Sequence, residues 1–354
     1  MRFARHALLL LAALLLTACG KEPLYQEQGY VFGTLVEVSV YGADEAKAKQ
    51  AMAVVMQEFQ RLHELLHAWK PSALSELNTA FAQGKAVTVT SEMEAMLLDA
   101  TQLSEQSGGL FNPAIGGLVK LWGFHADEFK PALPDEKKLA ALVSAQPRMR
   151  EISFLSYRAS TTARSRNPAV QLDLGGYAKG YALDRAAVLL KQQGIHNALI
   201  NIGGNILALG THGSRSWRVG IQHPRKPGPL ATLDLHDGEA IGTSGDYQRY
   251  FELNGKRYCH VIDPRNGQPA QGVQAVTVLT RGAHAGVLSD AASKPLFIAG
   301  TSGTPAPGAW LTSARQMHID EALLIDADGT VHLTAAMQNR LEFTDKNTLR
   351  KLVQ

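Results

Sequence analysis

The sequence lacks several features that would define common classes of protein. Its 354 residues include only two cysteines, so a disulfide framework is excluded and stability must come from a buried core. Its formal charge of +3 is too small for a dedicated nucleic-acid surface, and no nucleic-acid partner is expected. The absence of G-x-x-x-x-G-K-[ST] and G-x-G-x-x-G excludes the P-loop and the dinucleotide-binding fingerprint. Internal repeats and low-complexity blocks are also absent.

Long hydrophobic runs are missing as well. The apolar run over residues 7–16 is too short to cross a bilayer as a permanent helix. It follows Arg2 and Arg5 and leads into L-T-A-C, which resembles the bacterial lipobox and ends at Cys19. This arrangement predicts an export signal that is cleaved before Cys19, with acylation of that thiol. The alternative is an ordinary signal peptide with an incidental cysteine.

The predicted anchor sets the domain organisation and the location. We expect a lipoprotein signal peptide over residues 1–18, a polar tether over 19–29 and one domain over 30–354. The domain would lie on the periplasmic side of a bacterial membrane, and the sequence does not decide between the inner and the outer membrane. With Cys19 acylated, Cys259 has no intrachain partner.

The stretch over residues 170–184 organises the predicted site. Apolar and polar residues alternate over residues 170–174, which predicts a half-buried strand. Gly175 and Gly176 predict a tight turn with positive φ, and a helix is expected from Tyr177 to Gly194.

A helix start after a glycine turn is a place where an anion can bind. Its backbone N–H groups and its dipole favour negative charge, and Lys179 adds an ammonium in the first turn. Asp173 precedes the turn as an acceptor or a metal contact. The same pattern is also typical of a simple connection between two elements.

The second dense stretch surrounds Asn254 and Gly255, which together predict a two-residue hairpin turn. The pairing places Arg249 opposite His260, near the end of a strand. Other periodic segments predict helices over residues 43–69, from Ser91 to about Gly108, within 130–150 and over 285–298. Strands are predicted over 30–41 and 272–280, two strands joined by a glycine turn over 197–209, and a hairpin over 323–337.

A possible metal motif occurs near the end of the first predicted helix. His63 to His67 reads H-E-L-L-H, the pattern that places two imidazoles on one zinc ion. The extended form of the motif fails because Lys70 stands where glycine is required. We predict that both histidines are structural and keep a zinc protease as a remote alternative.

Eight short motifs, in this order, identify the chain as similar to a known family, the ApbE-type FAD:protein FMN transferases, which are periplasmic flavin-transferring lipoproteins. The similarity extends from about residue 31 to the C-terminal hairpin. The motifs are Phe32, Gly33 and Thr34; Trp69, Ser75 and Asn78; Phe111, Asn112 and Pro113; D-L-G-G-Y-A-K-G over 173–180; Gly203, Gly204 and Asn205; Thr243, Ser244 and Gly245; H-V-I-D-P over 260–264; and S-D-A-A over 289–292.

This resemblance implies a mixed α+β fold with largely antiparallel sheets flanked by helices. It also implies a magnesium-dependent enzyme that splits the pyrophosphate of FAD and releases AMP. The FMN is joined through its phosphate to a threonine of an acceptor protein, a periplasmic or membrane redox subunit. Such phosphoryl transfer depends on positioning and on charge neutralisation.

The resemblance and the side-chain chemistry together assign roles to named residues. Lys179 suits the pyrophosphate, and His260 suits the threonine hydroxyl as a general base. The residues expected to contact the flavin nucleotide are Phe32, Trp69, Asn112, Pro113, Ala114, Asp173, Lys179, His260 and Ile262. The residues expected at the magnesium ion are Gly176, Asp290, Ser293 and Lys294.

Two positions depart from the family pattern. Phe32 stands where the first motif usually has methionine, and Lys294 stands where threonine usually follows the metal-binding aspartate by four residues. An ammonium has no lone pair for a metal, so Asp290 is expected to hold magnesium weakly. An FAD pyrophosphatase remains an alternative, and so does a non-catalytic flavin-binding lipoprotein that has lost its metal site.

Overall fold

The computed structural model describes residues 23–126, 128–158, 160–301 and 308–353. The predicted signal peptide and Cys19 lie outside these residues. The helices are α1 (Glu45–Leu65), α2 (Ala73–Ala82), α3 (Ser91–Gln106), α4 (Gly116–Leu121), α5 (Glu136–Ala145), α6 (Ala178–Gln192), α7 (Ala285–Ala299), α8 (Ala309–Gln316) and α9 (Ala335–Gln338).

Most of the strands form antiparallel pairs. The strands are β1 (Leu24–Val31), β2 (Thr34–Tyr41), β3 (Val87–Val89), β4 (Ile152–Tyr157), β5 (Ser160–Ser165), β6 (Ala198–Ile202), β7 (Asn205–Leu209), β8 (Trp217–Gln222), β9 (Pro229–Leu235), β10 (Glu239–Gly245), β11 (Tyr250–Leu253), β12 (Lys256–Cys259), β13 (Val273–Arg281), β14 (Glu321–Asp326), β15 (Val331–Thr334), β16 (Glu342–Phe343) and β17 (Arg350–Val353).

One large sheet organises these elements. In the described chain its order is β1-β2-β6-β7-β10-β13-β14-β15-β17, and the β15–β17 pair is parallel. Strand β13 is buried along eight of its nine residues, as expected for a central strand with both faces covered. The smaller sheets are β16-β9-β8, β3-β5-β4 and the hairpin β11-β12.

Different layers cover the two faces of the large sheet. On one face, α1 and α6 pack against β2 and β6 through side chains such as Val38, Phe59 and Ile200. On the other face, the β8–β9 sheet packs through Trp217 and Leu233. Helix α7 is buried at thirteen of its fifteen residues, which is typical of a helix inside the core. The mixed α+β fold with largely antiparallel sheets is confirmed.

The first strand corrects the predicted tether. Residues 24–29 are polar in part but belong to β1, which pairs with β2 from Leu24 opposite Tyr41 to Val31 opposite Thr34. An edge strand of this kind turns every second side chain to solvent, which explains its polarity. Among the described residues, no helix combines the length and the apolar character that a membrane crossing requires.

Candidate active site

The segment that leads into the site, residues 170–174, is extended but is not a strand. Residues 170–174 make one isolated bridge, between Gln171 and Ile115, so the predicted strand is wrong. The amide of Asn78 takes the place of a neighbouring strand, because Nδ2 donates to the Leu172 carbonyl at 2.9 Å and Oδ1 accepts from its N–H at 2.6 Å. Buried backbone groups need such partners, and here a side chain supplies them.

A loop holds the other side of this segment. The Pro113 carbonyl accepts from the Asp173 N–H at 2.8 Å. Asn112 folds back on the protein, since Nδ2 donates to the Pro147 carbonyl at 2.9 Å and Oδ1 accepts from the Ala114 N–H at 3.1 Å. Pro113 and Ala114 are buried, so this loop fixes Asp173 through its backbone. Flavin contact by these three loop residues stays a prediction.

The glycine pair before α6 lets two side chains approach the backbone of the turn closely. Neither Gly175 nor Gly176 has a positive φ, so that part of the turn prediction is wrong. A Cβ on Gly176 would lie 3.2 Å from Cε of Lys294, and a Cβ on Gly175 would lie 3.0 Å from Oδ1 of Asp173. The missing side chains therefore let Lys294 and Asp173 approach the turn.

Asp290 lies at the centre of the site, in α7, with no exposed surface. Its Oδ2 accepts from the Gly180 N–H at 3.0 Å, in the first turn of α6. A buried carboxylate thus satisfies part of a helix N-terminus, where negative charge is favoured. The two helices can approach closely because residue 180 is glycine. A Cβ there would lie only 2.7 Å from Cα of Val287.

Two lysines converge on Asp290. Nζ of Lys294 contacts Oδ1 and lies 2.6 Å from the Asp290 carbonyl oxygen. Nζ of Lys179 lies 3.5 Å from the same Oδ1 and donates to the Gly175 carbonyl at 3.1 Å. We call Lys179, Asp290 and Lys294 the lysine cluster. It has two ammonium groups for one carboxylate, and both lysines remain partly exposed, so the surplus positive charge can meet an anion.

Charge and burial act against each other inside the cluster. Burial by itself raises the pKa of Asp290, but the positive charges of Lys179 and Lys294 hold that pKa well below its ordinary value. Burial lowers the pKa of Lys294 to about 8, against the attraction of Asp290. At neutral pH, Asp290 is therefore ionised and Lys294 is mostly protonated.

His260 follows the β11–β12 hairpin, which has the predicted register with Leu253 opposite Lys256. The Arg249 carbonyl accepts from the His260 N–H at 3.0 Å and lies 3.2 Å from its Nδ1. A carbonyl oxygen only accepts, so Nδ1 carries the proton and Nε2 keeps its lone pair. Burial lowers the pKa of His260 to about 3, and the positive charges of Arg249, Lys179 and Lys294 act in the same direction. His260 is therefore neutral at pH 7.

Asp173 borders the same region. Its Oδ1 accepts from the Gly175 N–H at 2.8 Å. Burial raises the pKa of Asp173 above its ordinary value. That hydrogen bond and the positive charges of Arg249 and Lys179 offset only part of the rise. The site thus combines surplus ammonium groups, a neutral imidazole and a second carboxyl group.

Ser293 is occupied within the protein. Its Oγ donates to the Asp290 carbonyl at 2.8 Å and lies 2.8 Å from Oγ of Ser244. Ser293 has no exposed surface, and Ser244 is buried as well. The serine hydroxyl therefore braces α7 against β10.

The donor set does not fit a magnesium ion at Asp290. Magnesium requires several oxygen ligands in octahedral geometry. Oδ1 of Asp290 contacts an ammonium, Oδ2 accepts from the Gly180 N–H, and Lys294 offers no lone pair. Within the described ranges, no three histidine, cysteine, aspartate or glutamate side chains form a metal-binding group.

Phe32 and Trp69, the two expected ring contacts, lie outside the lysine cluster. Phe32 sits at φ 56° in the β1–β2 turn, and its ring packs edge-on against Phe59 with centroids 6.2 Å apart. Trp69 packs against His125 at 5.5 Å. Ile262 is buried in a cluster that includes Trp122. Contact between Phe32, Trp69 or Ile262 and a flavin nucleotide stays a prediction.

The H-E-L-L-H motif does not form the zinc pattern. Helix α1 ends at Leu65, so His67 does not follow His63 on one helical face. Nδ1 of His67 instead accepts from the backbone N–H groups of Trp69 at 3.2 Å and Lys70 at 3.1 Å. The ring of His63 packs edge-on against Phe32 with centroids 5.9 Å apart. These contacts support a structural role for both histidines.

Two residues of the site carry no strong signal in the sequence. Asp184 accepts from the N–H groups of Gly286 and Val287 at 2.8 and 2.9 Å, and so fixes the start of α7. Arg249 adds positive charge near His260 and Asp173. Its position opposite His260 follows from the hairpin register, but its electrostatic effect depends on the tertiary fold.

The fold and the site together define a mixed α+β protein with a cluster of surplus positive charge suited to a phosphate anion. Residues 32–314 match the model of the ApbE family. The chain belongs to this family, so the resemblance seen in the motifs is confirmed, and with it the expectation of an enzyme.

Relatives and solved structures agree with this assignment. The FAD:protein FMN transferase of Rhodobacter capsulatus is 43% identical over 320 residues, which cover 90% of this chain and 59% of that protein. The chain thus spans less than two thirds of that relative's length. The FAD:protein FMN transferase of Treponema pallidum is 34% identical, with 91% of this chain and 90% of that protein covered.

The structural matches extend over nearly the whole fold. The crystal structure of the ApbE protein from Thermotoga maritima matches with a TM-score of 0.79 and 26% identity, over 90% of this chain and 99% of that one. The flavinyl transferase ApbE of Pseudomonas stutzeri matches with a TM-score of 0.75 and 26% identity, over 91% and 98%.

Proposed function

We propose that this chain is an FAD:protein FMN transferase that attaches FMN to a threonine of an acceptor redox protein and releases AMP. The observation that carries the proposal is the lysine cluster, in which two ammonium groups meet one buried carboxylate, beside the neutral His260. A surplus of fixed positive charge next to a base is the arrangement that phosphoryl transfer requires.

FAD is the proposed donor, with its pyrophosphate at the lysine cluster. Lys179 and Lys294 would neutralise phosphate oxygens as point charges, since both side chains are partly exposed. Trp69 and Phe32 are the proposed ring contacts, while the loop of Asn112, Pro113 and Ala114 holds Asp173 in place. Magnesium enters no step here because the donors at Asp290 do not fit it.

The proposed reaction is a single displacement at phosphorus. The acceptor hydroxyl oxygen forms a bond to the phosphorus of the FMN half, and the bond from that phosphorus to the bridging oxygen breaks. The bridging oxygen leaves with AMP and takes the bonding electron pair. The hydroxyl proton passes to Nε2 of His260, which has its lone pair because Nδ1 is paired with the Arg249 carbonyl.

The test of this proposal uses purified protein, FAD and a candidate acceptor domain that contains a threonine. We expect a fluorescent flavin band on a denaturing gel and one AMP for each flavin attached. AMP and FMN formed equally fast without an acceptor would support the pyrophosphatase alternative. Bound FAD with no AMP would instead identify a flavin-binding protein without catalysis.

The location is also a proposal. We infer that the mature protein is anchored on the periplasmic side of a bacterial membrane through a lipid on Cys19, because the lipobox-like segment precedes that residue. Replacing Cys19 by serine is expected to move the protein from the membrane fraction to the soluble periplasmic fraction. An intact mass with an unmodified Cys19 would contradict the proposal.

A further inference from the structure

The lysine cluster has the form of a cation site that is already filled. Oδ1 of Asp290 contacts Nζ of Lys294, and Oδ2 accepts from the Gly180 N–H. The Asp290 carbonyl at 2.6 Å also binds that ammonium, so two oxygens of one residue face it. A carboxylate oxygen and a carbonyl oxygen are ligands that a hard cation would use, and here both serve an amine.

The ammonium of Lys294 is held in position by its surroundings. Its side chain is 17% exposed, and its Cε passes over Gly176, where a Cβ would lie within 3.2 Å. Fixed charges of this kind act on a substrate without having to reorganise during the reaction. Lys294 is therefore placed like a bound ion rather than like a mobile surface lysine.

A divalent ion at Asp290 would meet strong opposition. The single carboxylate is already balanced by Lys179 at 3.5 Å and by Lys294 in contact, which leaves the cluster with one surplus positive charge. Bringing two more positive charges next to two ammonium groups of limited exposure is electrostatically unfavourable. The metal would also have to displace Lys294 from both oxygens.

We infer that Lys294 replaces the divalent cation at Asp290, so that this chain holds the phosphates of its substrate with two fixed ammonium groups and no metal there. The inference rests on the proposed function and specifies how that site handles charge. Lys294 would donate to phosphate oxygens of the pyrophosphate and balance the charge on AMP as it leaves. The bonds formed and broken remain those of the displacement described above.

The first experiment measures metal binding without any turnover. Mn²⁺ is titrated into wild type, Lys294→Thr and the control Lys191→Thr, and free Mn²⁺ is followed by electron paramagnetic resonance. Lys191 is an exposed lysine in the last turn of α6, away from the cluster. We expect no stoichiometric site in wild type and the control, and one site per chain in Lys294→Thr, because threonine restores an oxygen ligand. One Mn²⁺ per wild-type chain would overturn the inference.

The second experiment measures FMN transfer in chelator and in magnesium. Wild type and Lys191→Thr are expected to retain at least half of their rate in chelator. Lys294→Thr is expected to fall at least 100-fold in chelator and to recover at least tenfold on addition of Mg²⁺. Lys294→Met, which has neither charge nor oxygen, is expected to be at least tenfold slower under both conditions. If chelator lowered the wild-type rate as much as it lowers the rate of Lys294→Thr, the inference would be overturned.

The two experiments separate failure of the inference from failure of the proposed function. If neither wild type nor any variant transfers FMN under any condition, the proposed function fails. The Mn²⁺ titration still decides whether Lys294 occupies the cation site. Thermal unfolding of each variant identifies any loss of fold. If Lys294→Thr does not fold, Lys294→Ser replaces it, because serine offers the same kind of oxygen ligand in a smaller side chain.

Discussion

Two clusters built around buried carboxylates differ in their balance of charge. The lysine cluster joins α6 and α7 with two cations and one anion. A second group, which we call the arginine cluster, joins Glu239, Arg281, Glu321 and Arg340, with two cations and two anions. Arg340 donates to Glu239 at 2.6 Å and to Glu321 at 3.1 Å, so each carboxylate has a guanidinium partner.

The difference separates a structural cluster from a binding site. In the arginine cluster every charge is matched, and the guanidinium forks fix the ends of β10, β13 and β14. In the lysine cluster two ammonium groups share the one carboxylate of Asp290, and the charge of Lys179 also acts on the nearby Asp173. Both lysine side chains are partly exposed, so the surplus positive charge is open to solvent and to an anion that binds there. The following substitutions test this comparison by their effect on transfer, from the largest effect to the smallest, and a pH profile accompanies the substitution of His260.

Asp290→Ala is expected to have the largest effect, because it leaves two ammonium groups without their shared partner. Transfer should fall roughly 10³-fold, the upper range for loss of a preorganised electrostatic group. Urea unfolding should show a loss of about 3–5 kcal/mol, as for a broken buried ion pair. The double variant Asp290→Ala/Lys294→Met should recover part of that stability but none of the transfer. Transfer within fivefold of wild type would remove Asp290 from the site.

His260→Ala is expected to lower transfer by roughly 10²-fold, the usual contribution of a general base. FAD affinity, measured by fluorescence quenching, should remain nearly unchanged because the phosphates are held by the lysines. His260→Gln keeps a polar group of similar size and should be equally slow. A parallel loss of FAD affinity and transfer would assign His260 to binding.

The pH profile should differ from that of an ordinary histidine. The pKa of His260 is lowered to about 3, so the imidazole stays deprotonated well below neutrality. A histidine with its ordinary pKa near 6.5 would lose about tenfold in activity between pH 7 and pH 5.5. We expect kcat/KM for FAD to change less than twofold over that interval. An acid limb centred near pH 6.5 would contradict the assignment of the base.

Gly176→Ala tests how closely Lys294 is positioned. The added Cβ would lie 3.2 Å from Cε of Lys294, at a residue whose φ is not positive, so the backbone is not strained. We expect the lysine to shift and transfer to fall about threefold, an effect of only a fraction of a kcal/mol. The same substitution in Lys294→Thr should have almost no effect, since the coupled partner is gone. An equal loss in both backgrounds would trace the effect to the turn itself.

Arg340→Met is expected to leave transfer unchanged, in contrast to every change in the lysine cluster. It removes the guanidinium that Glu239 and Glu321 share, so the free energy of unfolding should fall by about 3 kcal/mol. The measurement pairs urea unfolding with a transfer assay at a temperature where the variant is folded. A tenfold loss of transfer in folded protein would mean that the arginine cluster is not purely structural.

The sequence by itself determined the elements whose information is local. The Asn254 and Gly255 turn fixed the register that sets Arg249 opposite His260, because a two-residue loop leaves one pairing. Helical periodicity placed Asp290 and Lys294 one turn apart in α7, and the ordered motifs identified the family. These features depend on residues that are near one another in the chain.

Only the tertiary structure decided what the local pattern left open. Residues 170–174 alternate like a strand, but Asn78 pairs with their backbone in place of a strand, and a partner 94 residues away leaves no local signal. Gly175 and Gly176 look like a turn with positive φ, yet their role is to admit Asp173 and Lys294. Long-range packing brings Lys179 of α6 to the carboxylate that Lys294 contacts from one turn further along α7. The surplus charge that marks the site therefore follows from distances between helices, which spacing along the chain does not contain.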